Sequence, residues 1–595
     1  MPKERKEIDQ KYKWNIEAMY EDKSMAEKDI EECVKMAKDY EKYCGHLGDS
    51  AKTFLSALKD SEAISRKAEK AFCYASMKKD EDSRVNEYQA LVDKVESAGA
   101  RMSASMSFFG PEFKAIPEET LAKWLKEEPE LKIYAHSIEE MLREKAHILS
   151  DAEEKLLASL SEIFGATSEA FSMLSDVDFK FGSIKNEKGE DVEVTHGTYI
   201  GLMQNKDRRV RREAYEHMYN KYKEFQTTLA TFYSYSVKED VVGARIRKYP
   251  SAKEEALYSD NIPVDVYDNL IKVVNEHLPA LHRYIDIRKK LLGVDDLKMY
   301  DLYVPIMERP EESFTYEESQ EIIFKALAPL GEEYIAGLKQ GFEQHWQDVY
   351  ENTGKRSGAY SSGCYDSYPY VLLNFDGKLE DVFTIAHEMG HSMHSQYTRK
   401  NQPFVYGDYS IFAAEVASTV NESLLMRYLI NNAKDKTEKA YLINMYLEQF
   451  RTTLFRQTQF AEFEAEAHRM AEEGEALTPS VLAELYAGIN SKYYGPSVNY
   501  DDFISYEWSR IPHFYSAFYV FQYATGYSAA TAISSRILEK GKSAADEYIS
   551  FLKCGSSDYP IETLKKAGVD MSSTIPVEAA MKRFEELLDE LESLI

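Results

Sequence analysis

The chain has 595 residues, 44% hydrophobic and 29% charged, a composition of folded domains and not of a disordered tail. Its 102 Asp and Glu against 73 Lys and Arg leave a net charge of −29, which argues against nucleic-acid binding or docking on anionic lipid, since both need a basic face. The five cysteines form no CxxC pair, no apolar run approaches the roughly 20 residues of a membrane span, and residues 1–10 lack an apolar signal core, so the expected compartment is the cytoplasm.

Proline is absent from 3–110 and from 130–249. Within these spans apolar residues recur at helical spacing, as in Ile30, Val34, Ala37 and Tyr40, or Leu91, Val92, Val95 and Ala98. Residues 1–200 are therefore expected to form an N-terminal helical lobe, and 201–595 a second helical lobe that carries the motif discussed below. The alternation over 179–195, around Asn186–Gly189, predicts a β-hairpin inside the first. The basic run 207–212 predicts a solvated helix start with i,i+4 ion pairs to Glu213 and Glu216. A helical hairpin is expected over 264–292, then a turn-rich passage punctuated by Pro305, Pro310 and Pro329. Residues 357–375 are rich in Gly, Ser and Tyr and end in the β-favouring run 370–375, which predicts one or two strands ahead of a helix starting near Leu379. From Ile411 onward helical periodicity dominates, including an aromatic helix over 511–526. The fold class is mainly α, with a small β element beside the helix discussed next.

That helix carries His387-Glu388-Met-Gly-His391. Residues i and i+4 differ by about 40° in azimuth, so two imidazoles project side by side and can each give one nitrogen to a single Zn²⁺. Glu388 lies about 100° further round, near the metal without being a required ligand. On this motif alone, a helix that merely bears two histidines stays open as the alternative. A catalytic zinc wants a third protein ligand and an open position. Glu415, 28 residues after His387, sits among small apolar neighbours where a carboxylate is costly unless paired or metal-bound. Asp408 or Ser410 can cap its helix. Glu422, two turns on, reads either as a hydrogen-bond partner for a ligand histidine or as an exposed charge. The metzincin pattern is excluded, since position 397 is Tyr397 and not His. His394 reads as packing, because a fourth protein ligand would block the open position.

The runs HEMGHSMHS and FAAEVASTVNE, with SGAY, YPYVLLNFDG and DVFTIAHE before them and IPHFYSAFYVFQYATG after, resemble the oligoendopeptidase F branch of the thimet-oligopeptidase-like metallopeptidases. The resemblance implies a helical ellipsoid with two lobes around a deep channel that admits peptides and excludes folded proteins. It implies one Zn²⁺ per chain on His387, His391 and Glu415, with Glu388 as general base. It also implies a histidine and tyrosines over the substrate. His513 matches that histidine, Tyr515 and Tyr519 are the better catalytic matches, and Tyr523 is expected to bind substrate. Read without the resemblance, 511–526 is an aromatic core helix. Tyr370 is expected to bind substrate, its strand or a neighbouring strand pairing with an extended peptide. The expected activity is zinc-dependent cleavage of internal bonds in short oligopeptides. The rivals are a zinc exopeptidase and a non-catalytic peptide-binding helical protein.

Overall fold

The computed structural model describes residues 3–160, 163–308 and 312–595. Its contacts divide the chain into two compact units, each assembled from three stretches. The first comprises Met1–Ala146, Glu311–Tyr428 and Ile533–Val569; the second comprises His147–Pro310, Leu429–Ala532 and Asp570–Ile595. The boundary expected at residue 200 falls inside the helix His196–Met203, within the second unit. The two divisions differ because one follows chain order and the other follows packing.

The first unit opens on α1 (Lys23–Tyr40), α2 (Ala51–Glu81) and α3 (Asn86–Met106). The Asp22 side chain accepts from Ser24 N and Met25 N, and Ser50 Oγ from Thr53 N, so α1 and α2 begin at side-chain caps. Of the apolar faces read in the sequence, Ile30, Ala37 and Tyr40 on α1 are buried with Val34 half-buried beside Cys33, and Leu91, Val92, Val95 and Ala98 on α3 are all buried. In the second unit β1 (Ser183–Lys185) pairs antiparallel with β2 (Asp191–Glu193), the expected hairpin. Asn186 Oδ1 accepts from Lys188 N and Glu190 N across its turn, and Gly189 supplies φ +81°.

Beside the helix that carries His387 and His391 the first unit holds a three-stranded sheet of β3 (Gln347–Asp348), β4 (Tyr360–Ser362) and β5 (Tyr370–Leu372). The order is β3-β5-β4, with β5 parallel to β3 and antiparallel to β4. The two-residue β3 is too short to leave a periodic signature. It is pinned instead by Asp348, a buried carboxylate that meets Arg5 Nη2 at 2.6 Å and Lys355 Nζ at 2.7 Å. The chain then enters α4 (Leu379–Asn401) and α5 (Ile411–Asn431). Asp381 caps α4, accepting from Lys378 N at 2.9 Å. Asp408 and Ser410 do not cap α5 by their side chains: Asp408 Oδ1 accepts from Tyr409 N, and Ser410 Oγ is buried with no partner among the described residues.

Two further expectations are corrected. In the basic run, Arg209 and Arg212 do make the i,i+4 pairs with Glu213 and Glu216, but Arg211 is buried and, with Arg208, pairs with Asp301 at 2.8 Å. The stretch 511–526 is not one helix. A 3-10 turn, Pro512–Tyr515, is followed by Phe518 at φ +56°, and the α-helix begins only at Phe521. Pro512 and the left-handed Phe518 interrupt the ladder that aromatic spacing alone suggested. The helical hairpin forms as Val264–Glu276 and Leu278–Leu292, and residues 309–311 of the turn-rich passage, with Pro310, lie outside the described residues. Among the described residues no helix is long and apolar enough to cross a membrane.

Candidate metal centre

The centre is made by the close approach of α4 and α5. A Cβ added at Gly390 would stand 2.7 Å from Ser418 Cα and 2.8 Å from the Ala417 carbonyl oxygen, so the glycine of HEMGH lets the two backbones touch. Asn421, fully buried, fixes the register: its Nδ2 donates to Ala386 O at 2.9 Å and its Oδ1 accepts from Tyr334 Oη at 2.9 Å. With the helices so held, Glu415 faces His387 and His391.

His387 Nε2 and His391 Nε2 lie 3.2 Å apart, and Glu415 Oε2 lies 3.5 Å from the first and 3.7 Å from the second. Ligands at roughly 2.0–2.2 Å from one tetrahedral ion stand about 3.3–3.6 Å from one another. The three donors therefore fit the ligand shell of a single zinc, and among the described residues they are the only such His/Cys/Asp/Glu group. Ser418 Oγ donates to Glu415 Oε2 at 2.9 Å and steadies the carboxylate. His387 Nδ1 meets Glu422 Oε1 at 2.9 Å, which turns Nε2 toward the other two donors. On the sequence Glu422 was equally readable as an exposed charge; here it is a partner of the ring.

Burial disfavours charge on both rings, but Glu422, Glu388 and Glu415 outweigh it at His387 and bring its pKa up to about 9. His391 is pushed down to about 4 by burial and by the His387 charge. The three carboxylates thus make a field that favours positive charge beside the Nε2 atoms. Glu388 is buried; burial, then the charge of Glu415, raises its pKa, while His387 pulls the other way. A carboxylate raised toward neutrality is suited to taking and returning a proton. His394 is a core group, stacked on Tyr409 with ring centroids 3.6 Å apart, and burial takes it down to about 3.

Tyr370 is not placed to touch a peptide. Its side chain is fully buried, its hydroxyl donates to Asn15 O at 2.7 Å, and β5 is hydrogen-bonded on both sides. The edge strands are β3 and β4, and β4 is tied to α4 through Ser361 Oγ and Ser392 Oγ at 2.8 Å. His513, Tyr519 and Tyr523 belong to the second unit and gather there. The His513 ring lies 6.1 Å from Tyr519, nearly parallel, and 5.9 Å from Tyr523, nearly perpendicular. Burial lowers the His513 pKa below the ordinary imidazole value. Tyr515 is half-buried, its ring stacked on Phe171 at 4.6 Å with Tyr233 at its edge. Sequence reasoning missed Gly390, Ser418 and Asn421. The small residues Ala413, Ala414, Ala417 and Ser418 were the available sign that another backbone comes close.

Comparison with known proteins agrees with this geometry. The profile of peptidase family M3 matches residues 201–583, and that of oligopeptidase F matches 112–181. Oligopeptidase PepF of Bacillus subtilis (strain 168) is 48% identical over 592 residues, covering 100% of this chain and 88% of that protein. Group B oligopeptidase PepB of Streptococcus agalactiae serotype III (strain NEM316) is 45% identical over 595 residues, covering 100% and 99%. The crystal structure of oligoendopeptidase-F from Enterococcus faecium superposes with a TM-score of 0.75 at 40% identity, over 96% of this chain and 98% of that one. The chain belongs to peptidase family M3, as an oligopeptide-hydrolysing metallopeptidase of the oligoendopeptidase F group.

Proposed function

We propose that the chain is a zinc-dependent endopeptidase that cuts internal bonds of short oligopeptides, with Glu388 as general base. The observation that carries this reading is the His387, His391 and Glu415 triangle, whose edges match one tetrahedral ion with a corner left for a small ligand. Zinc bound there supplies Lewis acidity, lowering the pKa of a water toward neutrality and polarising a carbonyl. Cobalt or manganese suits the same donor set less specifically.

The chain's own residues do the rest. Glu388 takes the proton of the attacking water and returns it to the leaving amine, a service typically worth about 10²–10⁴ in rate. Glu422 holds His387 in the tautomer that leaves Nε2 to the metal. His513, with Tyr519 or Tyr523, is proposed to donate to the developing oxyanion, each such bond being worth about 3 kcal/mol. The edge strand β4, and not β5, is proposed to pair with the extended substrate, which would let many side chains be accepted. Cytoplasmic residence is proposed with it.

The name oligoendopeptidase borne by the Enterococcus relative supports internal cleavage over trimming from an end. The test is product mapping on a peptide-length series blocked at both termini, with and without 1,10-phenanthroline. Internal cuts abolished by the chelator are expected. Single or paired residues released from unblocked ends alone would favour an exopeptidase, and binding without any cleavage would favour a peptide-binding protein.

A further inference from the structure

All five cysteines are free thiols, and two of them meet inside the first unit. Cys73 is on α2, and Cys364 lies in the turn between β4 and β5; both are buried in one apolar cluster with Tyr74, Tyr370 and Leu372. The Cys73 thiol donates to Cys364 Sγ. The other two buried thiols are spent on backbone, Cys33 donating to Ile64 O at 3.9 Å and Cys554 to Ser550 O at 3.1 Å. The turn that carries Cys364 is closely held: Cys364 N donates to Ser367 Oγ at 2.9 Å, and Ser367 N to Cys364 O at 3.1 Å. Arg399 reaches it from α4, Nη2 donating to Gly363 O at 3.3 Å while Nη1 is buried with no hydrogen-bond partner among the described residues.

The two sulfurs are unequal. The bond from Cys73, and after it Ser367 and the Asp366 N–H, hold the Cys364 thiol below its ordinary value against burial. The same bond, with burial, pushes Cys73 up. A thiolate-prone sulfur beside a proton-bearing one is the arrangement of an attacking and a resolving cysteine. A cavity of about 460 Å³ lined by Asp366, Ser367 and Tyr368 lies against the same turn, which brings a small oxidant close to Cys364.

We propose that Cys73 and Cys364 form a redox site, closed to a disulfide by a hydroperoxide and reopened by a dithiol. In closing, the Cys364 sulfur attacks a peroxide oxygen and becomes a sulfenic acid as the O–O bond breaks; the Cys73 sulfur then displaces the sulfenic oxygen and the S–S bond forms. The two thiol protons leave in the products, one in the water or alcohol cut from the peroxide and one in a second water. The pair loses two electrons and the peroxide gains them. In reopening, the dithiol takes the disulfide in exchange. The bridge reaches the metal centre along β4. An S–S bond is about 2.05 Å long, shorter than any hydrogen bond between sulfurs, so closure draws the turn toward α2. Ser361, in the middle of β4, donates its N–H to the Glu388 carboxylate, and its Oγ meets Ser392 Oγ at 2.8 Å. A displaced β4 takes with it a hydrogen bond that holds Glu388, so oxidation slows hydrolysis. That consequence rests on the peptidase reading; the bridge itself does not.

The test treats the reduced, zinc-loaded full chain with hydrogen peroxide and reads the products by non-reducing peptide mapping, with the exposed Cys44 as internal reference. A peptide linked through Cys73 and Cys364 is expected at peroxide doses that oxidise Cys44. With it kcat on a blocked fluorogenic peptide should fall about tenfold, the scale of one hydrogen bond to a charged group, while zinc content stays constant. Dithiothreitol should restore both the thiols and the rate. Cys73→Ala and Cys364→Ala should each keep the rate of the reduced enzyme and resist the loss, whereas Cys44→Ala should lose activity like wild type. Oxidised Cys44 without the bridge, a complete bridge that leaves kcat unchanged, or an equal loss in Cys73→Ala would overturn the proposal. Should alanine unfold the core, the wild-type map and its reversal need neither variant. If reduced wild type cuts nothing, the peptidase reading fails, and the mapped bridge still decides the redox site.

Discussion

Glu388 is the residue on which the proposed hydrolysis turns, because it is the buried acid beside the His387, His391 and Glu415 triangle that is not part of it. Replacing it by Gln keeps shape and removes the base. Glu388→Gln should retain one zinc per chain by metal analysis and lose about 10²–10⁴ in kcat on a fluorogenic peptide. Full activity in that variant would remove the role. Glu422 acts one step out, through His387 Nδ1 at 2.9 Å. Glu422→Gln should weaken zinc binding by about 10–100-fold in a competition titration, whereas Glu415→Ala should abolish stoichiometric binding. An unchanged zinc affinity in either would detach that residue from the site.

Helices α4 and α5 matter as a pair, and Gly390 is where they meet. A methyl there would press on backbone at both Ser418 and Ala417, and backbone does not swing aside as a side chain does. Gly390→Ala should cost about 1–3 kcal/mol by thermal or denaturant melts and, by moving α5, should lower zinc affinity as well. A variant with native stability and native zinc affinity would mean the helices have room that the distances deny. This contact also marks how far the sequence could be read. The motif placed His387 and His391 on one helical face, and the small-residue run flagged Glu415, since both are local properties of a helix. What locks them together is the Asn421 bridge from Ala386 to Tyr334, a contact between segments far apart in the chain with no periodicity to announce it. For the same reason the β-favouring run 370–375 pointed to strand β5, while its place in the middle of the sheet, which takes Tyr370 away from any peptide, depended on the unforeseen β3. Phe518 shows the opposite failure: local aromatic spacing suggested continuous helix, and a left-handed residue broke it.

At the scale of the molecule, acid sets a limit on stability. Burial raises the pKa of Glu448 and Glu507, but arginines outweigh it, Arg451 and Arg288 at the first and Arg456 and Arg510 at the second, and bring both down to about 2 from the ordinary 4.5. Folded values below unfolded ones mean that the stabilisation is present in full above pH 4.5 and is lost as pH falls from about 4.5 toward 2. Glu507→Gln should therefore cost about 3–5 kcal/mol at pH 7, with the gap to wild type closing across that window in melts taken at stepped pH. A gap independent of pH would contradict the ion-pair account. The helical faces behind this architecture were legible residue by residue. The interleaving of two units from six stretches was not, because it is decided by which faces find each other and not by any one segment.

The most direct measurement strips the enzyme with chelator, assays cleavage of a blocked oligopeptide, and titrates Zn²⁺ back. Loss of cleavage on stripping, with recovery complete at one equivalent per chain, is the predicted result. Cleavage that survives full removal of metal, or zinc that binds to wild type and to Glu415→Ala alike, would contradict a centre built on His387, His391 and Glu415.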